Sequence, residues 1–260
     1  MIGPIPYIGG KNRLATKIIG LLPEHTTYVE AFCGGAQVFF HKRRSDVEVL
    51  NDLDCEVVNF LRICQWHHEE LIRYMKYMVV SRRWFEIVAK TEPELLTDVQ
   101  RAGRFLYLQK NAFGGLVLNQ RFHYGVVQHS NFNPERIPRV IEQTHHRLQH
   151  VQLECLPYDN VLAKYDRPTT LFYLDPPYWG PKLYKSNFTE ADFRSLAERL
   201  QQISGKFILS LNDRPEVRDT FASFQVQTVE LSYTARRART RQFREVLITN
   251  FPQPHAKAAA

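Results

Sequence analysis

Seven short runs rich in β-branched and aromatic residues, at 28–32, 47–52, 151–156, 170–174, 206–212, 225–231 and 245–250, limit what this chain can fold into more than any other feature. Between most of them the pattern turns helical, which calls for an α/β sheet covered on both faces, and seven strands is near the upper range of ordinary sheets. Residues 11–22 place apolar side chains at helical spacing. Residues 190–203 repeat the pattern, with Thr189 as N-cap and Asp192 three positions on. From Asp54 to about residue 150 the alternation stops, and the sequence becomes helical, aromatic and basic, as an inserted helical domain would. Within that span Gly114-Gly115 and Gly125 bracket residues 116–124, which reads as a hairpin or a loop. With 260 residues and 44% hydrophobic content, the chain can bury a sizeable core.

The most informative segment is Leu171-Phe172-Tyr173-Leu174 followed by Asp175-Pro176-Pro177-Tyr178-Trp179-Gly180. Two adjacent prolines fix φ and remove N–H donors. The Asp175 carboxylate and the Pro176 carbonyl are then free to accept both hydrogens of an amino group, aiming its lone pair while Tyr178 stacks on the attached ring. The plainer alternative is a stiff turn in which Asp175 caps and Tyr178 packs.

A second segment, Tyr28-Val29-Glu30-Ala31-Phe32-Cys33-Gly34-Gly35-Ala36-Gln37-Val38-Phe39, leads from a strand through paired glycines into an apolar helix. Glycines there let a ligand approach the backbone at the carboxyl edge of a sheet, although tight packing alone also calls for them. About twenty residues on, Asn51-Asp52-Leu53-Asp54 ends the next strand with an acid suited to ribose hydroxyls. Asp52 follows the apolar run directly, and Asp54 is placed to cap the next helix. Near the amino terminus, Pro6-Tyr7-Ile8-Gly9-Gly10-Lys11 combines an aromatic, a turn and a lysine. It is either a second ligand-binding element or a helix-start loop.

The formal net charge of +7 favours a polyanionic partner. Arg236, Arg237, Arg239, Arg241 and Arg244 follow one another with no acid between Thr234 and Glu245, as a phosphate-contacting or simply a solvated loop. Asn119, Gln120 and Arg121 carry donors and acceptors able to read base edges, and Arg101, Arg104 and Lys110 are further basic candidates. Cys33, Cys55, Cys64 and Cys155 lack the paired spacing of a zinc site and are too few for a disulfide scaffold, so reduced thiols in an intracellular, cytoplasmic protein are expected. The histidine pairs His67-His68 and His145-His146 lack zinc spacing and read as surface, so no metal is expected. No membrane segment, P-loop or nucleophile elbow is recognisable.

Taken in order, these four segments resemble the Dam-type (D12 class) DNA adenine-N6 methyltransferases over nearly the whole chain. The resemblance implies a Rossmann-like seven-stranded sheet formed by 1–54 and 151–260, binding S-adenosyl-L-methionine, with 55–150 as a helical target-recognition domain. It implies Asp175, Pro176, Pro177 and Tyr178 as the catalytic tetrapeptide. Tyr7, Lys11, Glu30, Phe32, Gly34, Asp52 and Asp175 would surround the cofactor, and Asn119, Gln120, Arg121, Arg236, Arg237, Arg239 and Arg241 would contact double-stranded DNA. The target adenine would be flipped from the duplex, since its N6 lies inside the stack. A stand-alone, phage- or prophage-like enzyme, monomeric or weakly dimeric, is the form this implies, within a restriction-modification system or as an orphan. The chain departs from the family in having Cys33 before Gly34-Gly35, Tyr7 in place of tryptophan, and 119–124 unlike the arrangement associated with GATC reading. Two rival readings remain: the same chemistry on RNA adenine or another exocyclic amine, and a non-catalytic DNA-binding relative.

Overall fold

The computed structural model describes residues 3–7, 9–12, 14–118, 120–123, 131–233 and 241–252. Seven strands form one sheet: β1 (Thr27–Glu30), β2 (Val47–Asn51), β3 (Gln152–Glu154), β4 (Thr170–Leu174), β5 (Lys206–Asn212), β6 (Gln225–Tyr233) and β7 (Arg241–Thr249), in the order β3-β2-β1-β4-β5-β7-β6. β1 to β5 pair in parallel, and β7 runs antiparallel to both β5 and β6. The expected α/β architecture is present. β4 and β5 have the expected bounds, and the other strands differ at their ends by a few residues. β1 stops at Glu30 because the next residues turn, with Cys33 N–H donating to Asn51 O at 2.8 Å and Gly34 at φ +45.

Side chains alternate across the strands, so each face builds its own core. Val29, Val49, Phe172, Leu174, Phe207 and Leu209 point to one side, under α8 (Tyr158–Tyr165), α9 (Glu190–Gln202) and α10 (Pro215–Thr220). Tyr28, Leu50, Leu171, Tyr173 and Ile208 point to the other. There they meet α1 (Ala15–Gly20), α2 (Gln37–His41) and the helices of the long connection, α3 (Cys55–Trp66), α4 (His68–Met75), α5 (Arg82–Lys90), α6 (Asp98–Asn111) and α7 (Ile137–Leu148). Phe60 of α3 and Phe105 of α6 pack with ring centroids 5.8 Å apart in that core, tilted by 44°. α9 starts where expected, with Thr189 accepting from Asp192 N–H and Asp192 accepting from Thr189 N–H in a capping box.

Three expectations are corrected. The helix read over 11–22 is shorter, because Lys11 is held in the site described below and regular helix begins at Ala15, ending in a tight turn before Pro23. The cysteines are not all reduced: Cys55 and Cys155 form a disulfide, while Cys33 and Cys64 are free and buried. The pair is 100 residues apart in sequence, yet β2 and β3 are neighbours, which brings the start of α3 beside the end of β3. By chain entropy, closing so long a loop stabilises a fold by roughly 4–5 kcal/mol. The histidines are not all free surface groups, since the His68 and His145 rings stack at 3.8 Å and His145 Nδ1 bonds Gln65 O at 2.9 Å. Among the described residues no helix is long and apolar enough to cross a membrane.

Candidate active site

The chain runs outward from β1 to β2 and β3, then returns to β4 on the other side of β1. A crevice opens beyond the carboxyl ends of strands at such a reversal, and here it holds a cavity of about 420 Å³, within the range of small-molecule sites. Tyr7, Lys11, Glu30, Phe32, Gly34, Asp52 and Asp175, the seven expected cofactor residues, all line it. They come from the amino-terminal segment, the β1–α2 turn, the end of β2 and the end of β4.

The turn after β1 is built by local constraint. Gly34 holds φ +45, and a Cβ there would lie 2.9 Å from the Tyr7 ring. Its N–H donates to Asp52 Oδ2 at 2.7 Å, and Asp54 N–H donates to Asp52 Oδ1 at 2.9 Å. Burial pushes the Asp52 carboxyl up to about 6, with those two N–H groups pulling the other way. Asp54 takes the capping role, accepting from Glu56 N–H at the start of α3. Glu30 lines the cavity but is engaged from behind by Tyr28 hydroxyl and Phe39 N–H, at 2.8 and 2.7 Å, and burial pushes it up to about 8.

At the end of β4 the tetrapeptide is held by side chains from far along the chain. Lys11 Nζ donates to Asp175 Oδ1 at 2.6 Å and to Gly9 O at 3.0 Å. Lys11 is thus paired with an acid of the protein itself. Burial alone would lower the Lys11 pKa, but Asp175, Tyr178 and Glu245 outweigh it and hold it well above the usual lysine value. Burial raises Asp175, with Lys11 and Ser210 opposing. Ser210 of β5 donates to Asp175 Oδ1 at 3.1 Å. Asn212 accepts from Trp179 N–H and donates to Trp179 O, both at 3.1 Å. Tyr178 is half-buried and donates to Glu245 Oε1 at 2.7 Å, and Pro176 is buried while Pro177 lines the cavity.

Sequence reasoning missed Ser210, Asn212 and Glu245. The first two carry a faint signal, as polar residues within the apolar run Lys206-Phe207-Ile208-Leu209-Ser210-Leu211-Asn212, whereas Glu245 carries none. It also missed the mouth of the cavity. Phe32, Tyr158 and Phe188 group with centroids 5.4 to 5.7 Å apart, Tyr184 stacks on Tyr7 at 6.4 Å, and Lys185 Nζ reaches Asp54 Oδ1 at 2.9 Å.

The expected DNA contacts are only partly within the described residues. Asn119, Arg236, Arg237 and Arg239 lie outside them, and Arg241 is described only as backbone at the start of β7. Arg121 is exposed, and Gln120 Nε2 donates to Leu116 O at 2.8 Å. Gly114 and Gly115 both hold φ +67, and Ala112 bridges Phe122 as in the narrow end of a hairpin. Gly115 is packed so closely against the backbone of Pro6 and Tyr7 that a Cβ would lie 3.1 Å from it, and Val117 lines the cavity. Arg101 pairs with Glu56, and Arg104 donates to Val88 O and Ala89 O at the end of α5. Among the described residues no group of three or more His, Cys, Asp or Glu could hold a metal.

A family model for the D12 class N6 adenine-specific DNA methyltransferase matches residues 7–235. The Type II methyltransferase M.CviBI of Paramecium bursaria Chlorella virus NC1A is 27% identical over 180 residues, 67% of this chain and 68% of its own length. The Type II methyltransferase M1.LlaDCHI of Lactococcus lactis subsp. cremoris is 24% identical over 268 residues and 94% of each chain. A DNA adenine methylase of Vibrio cholerae is 24% identical over 259 residues, 90% of this chain and 89% of its own. The match spans the amino-terminal segment, the glycine turn, Asp52 and the tetrapeptide together, and the chain belongs to the D12 class N6 adenine-specific DNA methyltransferases, which transfer a methyl group from S-adenosylmethionine to adenine N6 in DNA.

Proposed function

We propose that this enzyme takes an adenine extruded from duplex DNA into the space beside Asp175 and Tyr178, next to S-adenosylmethionine held in the 420 Å³ cavity. The observation that carries the reading is the Lys11–Asp175 contact at 2.6 Å, which fixes one acceptor of the tetrapeptide at the inner end of that cavity.

The lining fits the cofactor. Asp52 offers a carboxylate to ribose hydroxyls, the Phe32, Tyr158 and Phe188 cluster offers apolar faces to a purine, and the Gly34 turn allows close backbone approach. When bound, S-adenosylmethionine supplies a methyl group on a sulfonium. The protein then has only to orient and polarise the amine. Asp175 and the Pro176 carbonyl accept its two hydrogens, and Tyr178 stacks on the base. Lys11 and Ser210 together anchor Asp175, so that its second oxygen faces the amine in a set direction. The proton displaced from N6 as the methyl arrives would pass to water.

We assign target recognition to the helical span 55–150. The seating of Gly115 on Tyr7 backbone and the place of Val117 in the cavity wall support this, because they abut the recognition segment and the reacting centre. Arg121 and the arginines between β6 and β7 are assigned to phosphate and base contact.

Labelled methyl transfer to duplex DNA by wild type and Asp175→Ala tests the reading, followed by mapping of modified adenines. Loss of about 100-fold or more in the variant is expected, as for removal of a group aimed at the reacting atoms. An Asp175→Ala variant retaining the wild-type rate, or RNA labelled in preference to DNA, would overturn it.

A further inference from the structure

Glu245 belongs to no sequence motif and lies beyond the residues that the family model matches. It is 8% exposed, on β7, with Tyr178 hydroxyl donating to its Oε1 at 2.7 Å. In the antiparallel β5–β7 pair its register partner is Asn212, the residue that holds both backbone polar groups of Trp179. One rung of the sheet thus grips two successive residues of the catalytic loop, Tyr178 by its hydroxyl and Trp179 by its backbone.

A buried carboxylate is a costly way to fill space. Glu245 Oε2 has no hydrogen-bond partner among the described residues and lies 3.9 Å from Lys11 Nζ. An ionised carboxylate only accepts, so the Tyr178 hydroxyl must donate and its direction is set. Held at Cα by the stiff Pro176-Pro177 turn and at its far end by Glu245, the Tyr178 ring has a fixed long axis. Lys11 Nζ lies over the ring at 4.7 Å from its centroid, which leaves a stacked base the opposite face.

We propose that Glu245 is a positioning residue for methyl transfer, fixing the long axis of the Tyr178 ring through its hydroxyl while Lys11 covers one face, so that the other face meets the target adenine in one orientation. This rests on the reading of Tyr178 as the stacking surface. The hydroxyl takes no part in the chemistry and serves as a tether.

The test is single-turnover methyl transfer by Glu245→Leu, Glu245→Gln, Tyr178→Phe, Tyr178→Ala and the double variant Glu245→Leu/Tyr178→Phe. Glu245→Leu and Tyr178→Phe each slow the step about tenfold, the worth of one hydrogen bond to a charged group, while KM for S-adenosylmethionine stays near wild type. Glu245→Gln keeps an acceptor oxygen and retains most of the rate. The double variant is no slower than either single one, because both remove the same bond. Tyr178→Phe deletes one oxygen and leaves the packing intact, so it reports even if a Glu245 variant folds poorly. Additive losses, or Glu245→Gln as slow as Glu245→Leu, would overturn the tether and point to the charge beside Lys11. Full activity in Glu245→Leu with Tyr178→Ala inactive overturns the tether alone, and full activity in Tyr178→Ala overturns the stacking reading with it.

Discussion

The two halves of the active-site crevice are held in place by different means. On the side proposed for the cofactor the contacts lie within about twenty residues of chain: Gly34 N–H and Asp54 N–H converge on Asp52, 18 and 2 residues away, and Gly34 itself holds a positive φ. On the side proposed for the target base Asp175 and Tyr178 are fixed by Lys11, Ser210 and Glu245, which are 164, 35 and 67 residues away from the residues they bond. Backbone donors just beyond two adjacent strands, β1 and β2, form a shape that needs only that one pairing. Side chains gathered from distant strands form one that exists only when the sheet is complete. Damage to the first half should appear in cofactor affinity, and damage to the second in turnover.

Gly34→Ala is the sharpest way to break that division. A side chain at φ +45 costs about 1–2 kcal/mol in backbone alone, and the new Cβ would meet the Tyr7 ring at 2.9 Å. Affinity for S-adenosylmethionine, measured by calorimetry, is expected to fall at least about tenfold, with the rate at saturating cofactor changing much less. A variant with normal affinity would show that the turn is not constrained as described. Ser210→Ala probes the other half. It removes one of the two donors on Asp175, worth about 1 kcal/mol, and should slow single-turnover transfer a few-fold while leaving cofactor affinity unchanged. A change in affinity instead would merge the two halves.

The smallest effect is that of pH on Asp52. With its carboxyl pushed up to about 6, it is ionised at neutral pH and takes up a proton as pH falls through that value, so cofactor affinity should weaken toward acid. The loss is about two- to fivefold, the difference between a charged and a neutral acceptor, and Asp52→Asn should flatten the profile. Folding stability moves in the opposite sense. The native carboxyl holds its proton to a higher pH than the unfolded one, so the cost of ionising it is present above about 6 and relieved below, and this group favours the folded apoprotein as pH drops. A profile with no break near 6, or the same break in Asp52→Asn, would remove Asp52 from ribose binding.

Much of the fold was legible because alternation and strand length are properties of short windows. All seven strands and the capped start of α9 could be placed from the sequence, as could seven residues of the cavity wall, since each of those residues sits at or near a strand end or a glycine turn. The misses share a cause. The Cys55–Cys155 disulfide depends on β2 and β3 being neighbours, and the early end of β1 depends on Cys33 N–H finding Asn51 O across the sheet. Arg104, a basic candidate from the sequence, donates instead to Val88 O and Ala89 O, because α6 packs against the end of α5. Ser210 and Asn212 are marked only faintly, as polar residues in an apolar run, and Glu245 by nothing in its own neighbourhood.

By itself, the sequence determined the sheet, the glycine turn, the acid at the end of β2 and the stiff Asp175-Pro176-Pro177-Tyr178 turn at the end of β4, because each is written in adjacent residues whose backbone preferences and functional groups act locally. Only the tertiary structure decided what holds that tetrapeptide still. Strand order set β5 and β7 beside β4, and burial then made Lys11, Ser210 and Glu245 the partners that its polar groups require, since a polar atom withdrawn from water must find its partner wherever the fold has brought one.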